Sequence, residues 1–266
     1  MKVLFIGDIV GRLGRAAVAE LLPKLRKEHS LDVIIANGEN AAAGVGITKK
    51  IYDDFTDLGI NVITTGNHIW DRKDILDDIN SCSNLIRPAN YASAEIPGVG
   101  YKIFKTKDGI KYAVINLIGR VFMPCVECPF KFANEIVEKL KSETPIIIID
   151  FHGEATSEKN ALAWYLDGKI SALIGTHTHV QTADERILPQ GTALITDAGM
   201  VGAYNSIIGV VKETIIKRFL TCIPMHFEPE KSGPAVFNGL VIDIDEKTGK
   251  AKEVKRIFKV LEDISC

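Results

Sequence analysis

Apolar residues recur along this chain in two rhythms. Short runs rich in β-branched residues, Val3–Gly7, Val33–Ala36 and Asn61–Thr65, read as strands. Between them, Leu13–Glu28 places Leu13, Ala17, Leu21, Leu22 and Leu25 on one helical face, Thr48–Leu58 opens on Thr48 as an N-cap, and Arg72–Ile79 forms a further helix. Strands that are apolar throughout and alternate with helices predict a parallel sheet covered on both faces, with right-handed crossovers. In the middle of the chain, Lys102–Lys105 and Tyr112–Ile118 flank Asp108-Gly109 and predict an antiparallel hairpin. A helix at Phe130–Lys141 and a buried strand at Pro145–Asp150 follow, then a helix at Ser157–Leu166. The strands Ala172–Gly175, Ala193–Thr196, Gly239–Ile244 and Lys252–Val260 complete the pattern. No linker-like shift and no fixed-period repeat interrupts it, so one domain over residues 1–266 is expected.

Composition narrows the class. The 266 residues are 46% hydrophobic and 25% charged, which excludes disordered and collagen-like chains. No run of about 18 apolar residues exists, so no spanning helix is expected, and the run Val3–Ile6 is too short for a signal-peptide core. With 32 basic and 34 acidic side chains the formal charge is −2, which argues against a broad nucleic-acid face and stable nucleic-acid binding. Five cysteines, odd in number and thinly spread, do not form a disulfide framework, so a reducing cytoplasm is expected.

The chemistry is concentrated where strands end. Five apolar runs each finish in a short polar cluster: Gly7-Asp8, Gly38-Glu39-Asn40, Gly66-Asn67-His68, Asp150-Phe151-His152 and Gly175-Thr176-His177-Thr178-His179. Ligands of parallel α/β sheets bind outside the carboxyl ends of the strands, so these clusters converge on one patch. Carboxylate, amide oxygen and imidazole suit transition-metal ions. Asp8, Glu39, Asn40, Asn67, His152, His177 and His179 exceed the needs of one tetrahedral ion and suit two ions, with Glu39 as the natural bridge. Two such ions activate a shared water and clamp phosphate oxygens, and a donor set poor in carboxylates leaves net positive charge for an anionic substrate.

Capping and turn chemistry is the plainer explanation for any one of these residues; five coincident strand ends shift the balance to ligands. Asp150, at a buried strand end, reads as a partner to a histidine N–H. Glu154, Thr156 and Ser157 are candidate substrate contacts, although Ser157 serves equally as a helix cap, and Arg12 is a candidate phosphate contact as well as a solvated charge. Trp70 either lines a pocket or packs. Gly7, Gly11 and Gly14 lack dinucleotide-motif spacing, and Cys125-x-x-Cys128 lacks the second pair that zinc would need, so no role is assigned to it.

Gly-Asn-His and Gly-x-His-x-His resemble calcineurin-like metallophosphoesterases. That family's usual Asp-x-His is here Asp8-Ile9-Val10, and its Gly-Asp-x-x-Asp is Gly38-Glu39-Asn40, departures that match the YmdB-like subfamily. The subfamily's motifs correspond to Gly7–Gly14, Asn37–Asn40, Gly66–Asp71, Asp150–Lys159, Gly175–Asp184 and Thr196–Met200. The resemblance implies a four-layer α/β/β/α sandwich. It implies one ion held by Asp8, Glu39, Asn40 and His179, a second held by Glu39, Asn67, His152 and His177, and His68 as proton donor to the leaving oxygen. The ions are expected to be divalent or trivalent transition metals, iron or manganese ahead of zinc or magnesium. The activity implied is hydrolysis of small phosphodiesters such as 2′,3′-cyclic nucleotides by a hydroxide shared between the ions. Self-association is an expectation of the resemblance alone. A broad phosphomonoesterase or 5′-nucleotidase, and a metal-holding regulatory scaffold, are the alternative readings.

Overall fold

The computed structural model describes residues 1–93, 95–262 and 264. Along the chain these form β1 (Lys2–Ile6), β2 (Asp8–Ile9), α1 (Gly11–His29), β3 (Val33–Asn37), α2 (Lys49–Asp57), β4 (Val62–Thr64), α3 (Asp74–Asp78), β5 (Tyr101–Lys105), β6 (Lys111–Ile118) and α4 (Pro129–Leu140). The second half contributes β7 (Ile147–His152), α5 (Thr156–Tyr165), β8 (Ala172–Thr176), β9 (Arg186–Ile187), β10 (Ala193–Ile195), β11 (Met200–Ala203), α6 (Lys212–Thr221), β12 (Ala235–Ile244) and β13 (Ala251–Leu261).

The strands build two mixed sheets rather than one parallel sheet. The first runs β2-β11-β12-β1-β3-β4, with β13 paired to β12; the second runs β5-β6-β7-β8-β10-β9. Within them, β1, β3 and β4 are parallel, as are β6, β7, β8 and β10, while β12 and β5 pair antiparallel with β1 and β6. Alternation along each strand explains the stacking. Val3, Phe5, Val33 and Ile35 of the first sheet pack with Val114, Ile148, Ile174 and Ile195 of the second in one buried cluster. The opposite faces hold Leu4, Ile6, Ile34 and Ala36 under α1 and α2, and Ile147, Ile149, Phe151 and Leu173 under α4 and α5. The result is a four-layer α/β/β/α sandwich. A strand apolar on both faces looks the same in sequence whether its cover is a helix or another sheet, which is why the hydrophobic pattern alone predicted one sheet.

Local signals behave as their chemistry requires. Thr48 caps α2, its Oγ1 accepting from the Ile51 N–H at 3.4 Å. The β5–β6 hairpin turns at Gly109, whose φ of 84° suits glycine. Ser157 does not cap α5: the helix starts at Thr156, its N-cap is Ala155, and no side chain bonds there. The helix expected at Arg72–Ile79 is reduced to α3 followed by a 3₁₀ turn at Ile79–Ser81. Four elements lie outside the sequence pattern. β2 and β9 span two residues each, β11 is Met-Val-Gly-Ala with one β-branched residue, and α6 buries only Ile215, so it shows no core-facing stripe.

Candidate metal centre

β1, β3 and β4 of the first sheet and β7 and β8 of the second all stop at the same end of the sandwich. Their inward rows change there from apolar to polar: Val33-Ile35 continues to Asn37, Ile148 to Asp150 and His152, Ile174 to Thr176. Asp8, Glu39, Asn40 and His152 are buried, with His177 and His179 partly so. Gly66 makes the packing possible. A Cβ there would run into both Glu39 Oε2 and His152 Nε2, so only glycine lets the β4 loop approach both.

Glu39 stands at the middle. Its Oε1 lies 3.0 Å from His152 Nε2, and its Oε2 accepts from the His68 main-chain N–H at 3.2 Å. His177 Nδ1 lies 3.0 Å from that same His152 Nε2, and one ligand atom from each of Glu39, His152 and His177 falls within 4.8 Å of the others. On the other side of Glu39 in sequence, Asn40 Nδ2 donates to the Gly44 carbonyl at 3.0 Å, which turns Oδ1 toward His179 Nε2 at 3.2 Å. His179 Nδ1 donates to the Ile208 carbonyl at 2.8 Å. Asn40 Oδ1 and His179 Nε2 therefore face one another as a pair of potential metal donors. Asp8 Oδ2 accepts from the His177 N–H at 3.2 Å, whereas Asp8 Oδ1 and Asn67 Oδ1 are buried with no hydrogen-bond partner, Asp8 Oδ1 having only His152 Nδ1 at 3.9 Å. Orphaned acceptors are costly unless something positive meets them. The seven donors thus fit metal ions.

Electrostatics point the same way. Burial pushes the Asp8 carboxyl up to about 7, against the pull of His179 and His152. Burial opposes charge on Glu39 and His152 as well, but each outweighs it for the other, holding Glu39 below and His152 above its ordinary range. His177, desolvated and facing His152, is pushed down to about 3 and is neutral. Without metal, His152 Nε2 carries a proton toward Glu39 Oε1.

The surrounding groups orient these donors. His152 Nδ1 donates to Thr176 Oγ1 at 2.9 Å, and Thr176 donates onward to Asp150 Oδ1 at 2.7 Å. Asp150 therefore reaches the histidine through a threonine rather than directly; its Oδ2 accepts from Asn37 Nδ2 at 3.0 Å. The chain fixes His152 Nε2 as the nitrogen facing the donors. Glu154 Oε2 meets His177 Nε2 at 3.1 Å, so it contacts a donor ring. His68, whose side chain is 35% exposed, pairs Nδ1 with Asp71 Oδ2 at 2.7 Å. Arg12 is exposed in the first turn of α1, on a separate cavity shared with Arg15 and Lys231.

Sequence reasoning missed a buried ion pair. Lys159 and Asp197, each 1% exposed, meet at 2.8 Å. Lys159 Nζ also donates to the Thr176 carbonyl, and Asp197 Oδ2 accepts from the Thr178 N–H, so the pair grips the chain on both sides of His177. His177 and His179 hold φ values of 101° and 66°, unusual for side-chain-bearing residues. Lysine on a helix gives no sign of burial in sequence; Asp71 and Asp197, beside candidate residues or within a motif, carried a weak one.

A family model described as YmdB-like protein matches residues 4–257. A Bacillus subtilis protein named 2′,3′-cyclic-nucleotide 2′-phosphodiesterase is 52% identical over 258 residues, covering 97% of both chains. A Mycoplasma genitalium protein named putative phosphatase/phosphodiesterase is 37% identical over 272 residues, covering 99% of this chain and 94% of its own. Among solved structures, a hypothetical protein from Thermus thermophilus superposes with a TM-score of 0.91 at 38% identity, covering 99% of this chain and 100% of that one. A phosphatase from Mycoplasma pneumoniae does so with a TM-score of 0.92 at 37% identity, covering 99% and 94%.

Proposed function

The chain belongs to the YmdB-like family, and from that premise we propose that it is a two-metal phosphodiesterase acting on small phosphodiesters, 2′,3′-cyclic nucleotides above all. The observation that supports this most directly is the gathering of donor atoms at the strand ends, where Asp8 Oδ1 and Asn67 Oδ1 are buried without a hydrogen-bond partner and one ligand atom from each of Glu39, His152 and His177 lies within 4.8 Å of the others. In this reading Asp8, Asn40 and His179 share one ion with Glu39, and Asn67, His152 and His177 share the second with it. The mixed imidazole, amide and carboxylate set suits iron or manganese. Bound as a pair, the ions supply Lewis acidity to the phosphoryl oxygens and an activated water.

The protein's own groups do the rest. Asp71 accepts the Nδ1 proton of His68 and stabilises the imidazolium, leaving Nε2–H to protonate the departing ribose oxygen. Thr176 and Asp150 lock the His152 tautomer, and Glu154 holds His177. Lys159 and Asp197 keep the His177–His179 turn in its strained form. Cys82, Cys125, Cys128 and Cys222 are unpaired among the described residues, which supports a cytoplasmic setting.

Metal analysis of the purified protein alongside a turnover panel tests the reading. Two transition-metal ions per chain are expected, with chelator-sensitive hydrolysis of 2′,3′-cyclic AMP and bis-p-nitrophenyl phosphate that exceeds hydrolysis of p-nitrophenyl phosphate. A metal-free active enzyme, or a clear preference for the monoester, would overturn it.

A further inference from the structure

Helix α6 carries its apolar residues on the outside. Ile216, Phe219 and Leu220 follow the i, i+3, i+4 spacing that gathers side chains on one helical face, whereas the residue α6 buries is Ile215. Phe219 and Leu220 are each 80% exposed; Ile216, and Ile223 just past the helix end, are about half exposed. Beside the helix, Phe219 joins Ile208 and Phe227, themselves nearly half exposed, around a cavity of about 340 Å³. One exposed apolar residue means little, but a contiguous patch of them marks an interaction site.

Area and charge say what covers this face. At about 200 Å² for each large apolar side chain, these six residues expose on the order of 700 Å². A monomer's largest apolar patch is typically about 300–600 Å², and each partner of a standard specific interface buries about 800 Å², so the face matches one side of a stable dimer. A two-fold contact needs a projection and a recess on the same surface, and here Phe219 and Leu220 project beside the cavity that Ile208 and Phe227 line. Both signs of charge flank the patch. Lys212 lies 3.9 Å from Glu213 and Lys231 lies 3.6 Å from Glu228, while the Arg218 guanidinium sits over the Phe227 ring at 4.6 Å. An anionic lipid surface calls for a basic rim around the apolar residues; a rim of mixed sign suits a second copy of the same face.

We propose that the α6 face is a self-association interface, against which a second copy of this chain packs the same face about a two-fold axis. Ile208 places that interface beside the donor cluster, because its carbonyl is the one to which His179 Nδ1 donates at 2.8 Å. The φ of Ile208, 48°, is unusual for a β-branched residue, so assembly covers a strained turn that orients a donor ring. Self-association of this kind requires neither metal nor phosphodiesterase activity.

Sedimentation velocity of the full chain at micromolar concentration tests it, with Phe219→Glu/Leu220→Glu and the single change Ile216→Glu as variants. Both put carboxylates at exposed positions, where substitution leaves the fold intact, and across a two-fold axis each new charge faces its own copy. Wild type is expected at twice the mass of one chain or a higher even multiple, and each variant at half the wild-type mass. Trp164→Glu, at an exposed position on α5 outside this face, should keep the wild-type mass. The melting temperature should rise with protein concentration more steeply in wild type than in the two α6 variants. A monomeric wild type would overturn the interface, and if that monomer co-sedimented with phosphatidylglycerol vesicles the face would belong to a lipid surface instead. Variants that keep both the wild-type mass and its circular dichroism spectrum would overturn it as well.

Discussion

At His68, holding a metal and moving a proton can be told apart. Its main-chain N–H is committed to Glu39 and its Nδ1 to Asp71, so removal of the ring leaves the seven donors in place. His68→Ala is expected to retain both ions by elemental analysis while kcat falls by roughly 10²–10⁴; parallel loss of metal would make the ring a ligand instead. The charge state of the donors yields a second prediction. In the metal-free protein His152 is held protonated by Glu39, and Asp8 titrates at about 7 because it is buried. Metal needs both deprotonated, so binding at neutral pH releases protons, and apparent affinity should rise as pH rises through and above 7. Calorimetry in buffers of different ionisation enthalpy measures that release directly, and a buffer-independent heat would contradict it.

The strand-end donors were legible one element at a time, because each follows an apolar run and ends in Asp, Glu, Asn or His. Their supports were not. Asn37 meets Asp150 across 113 positions and Lys159 meets Asp197 across 38, and no local pattern announces a pairing between elements so far apart in the chain. The same reason hid the second sheet, whose contact with the first leaves the strand pattern unchanged. For the turn after β8 this has an energetic consequence. Lys159→Met leaves Asp197 buried without its cation and should cost about 3–5 kcal/mol in urea unfolding. It should also weaken metal binding about 10- to 100-fold, because the Thr176 and Thr178 main chain loses its clamp. The Lys159→Met/Asp197→Asn protein should recover much of the stability but not the affinity. Recovery of both would show that the pair serves folding alone.

Across the molecule, the two sheets are joined along most of their length by apolar contact and at one end by donors drawn from both: Asp8, Glu39, Asn40 and Asn67 from the first, His152, His177 and His179 from the second. Ions bound there would cross-link the layers where the apolar packing stops. By linkage, a site with free metal at 100 times its dissociation constant stabilises the native state by about 2.7 kcal/mol. For a chain of this size each kcal/mol is worth roughly 2–4 °C, so chelation should lower the melting temperature by about 5–10 °C. The loss of protection should be uneven, with amide exchange rising at the carboxyl ends of β3, β4, β7 and β8 while the Lys2 end of β1 and the β5–β6 hairpin stay protected. In the proposed arrangement Glu39 is the carboxylate common to both ions, so the Glu39→Ala protein should melt at the same temperature with and without chelator. A chelator-dependent shift of wild-type size in Glu39→Ala would place the stabilising ions elsewhere on the fold.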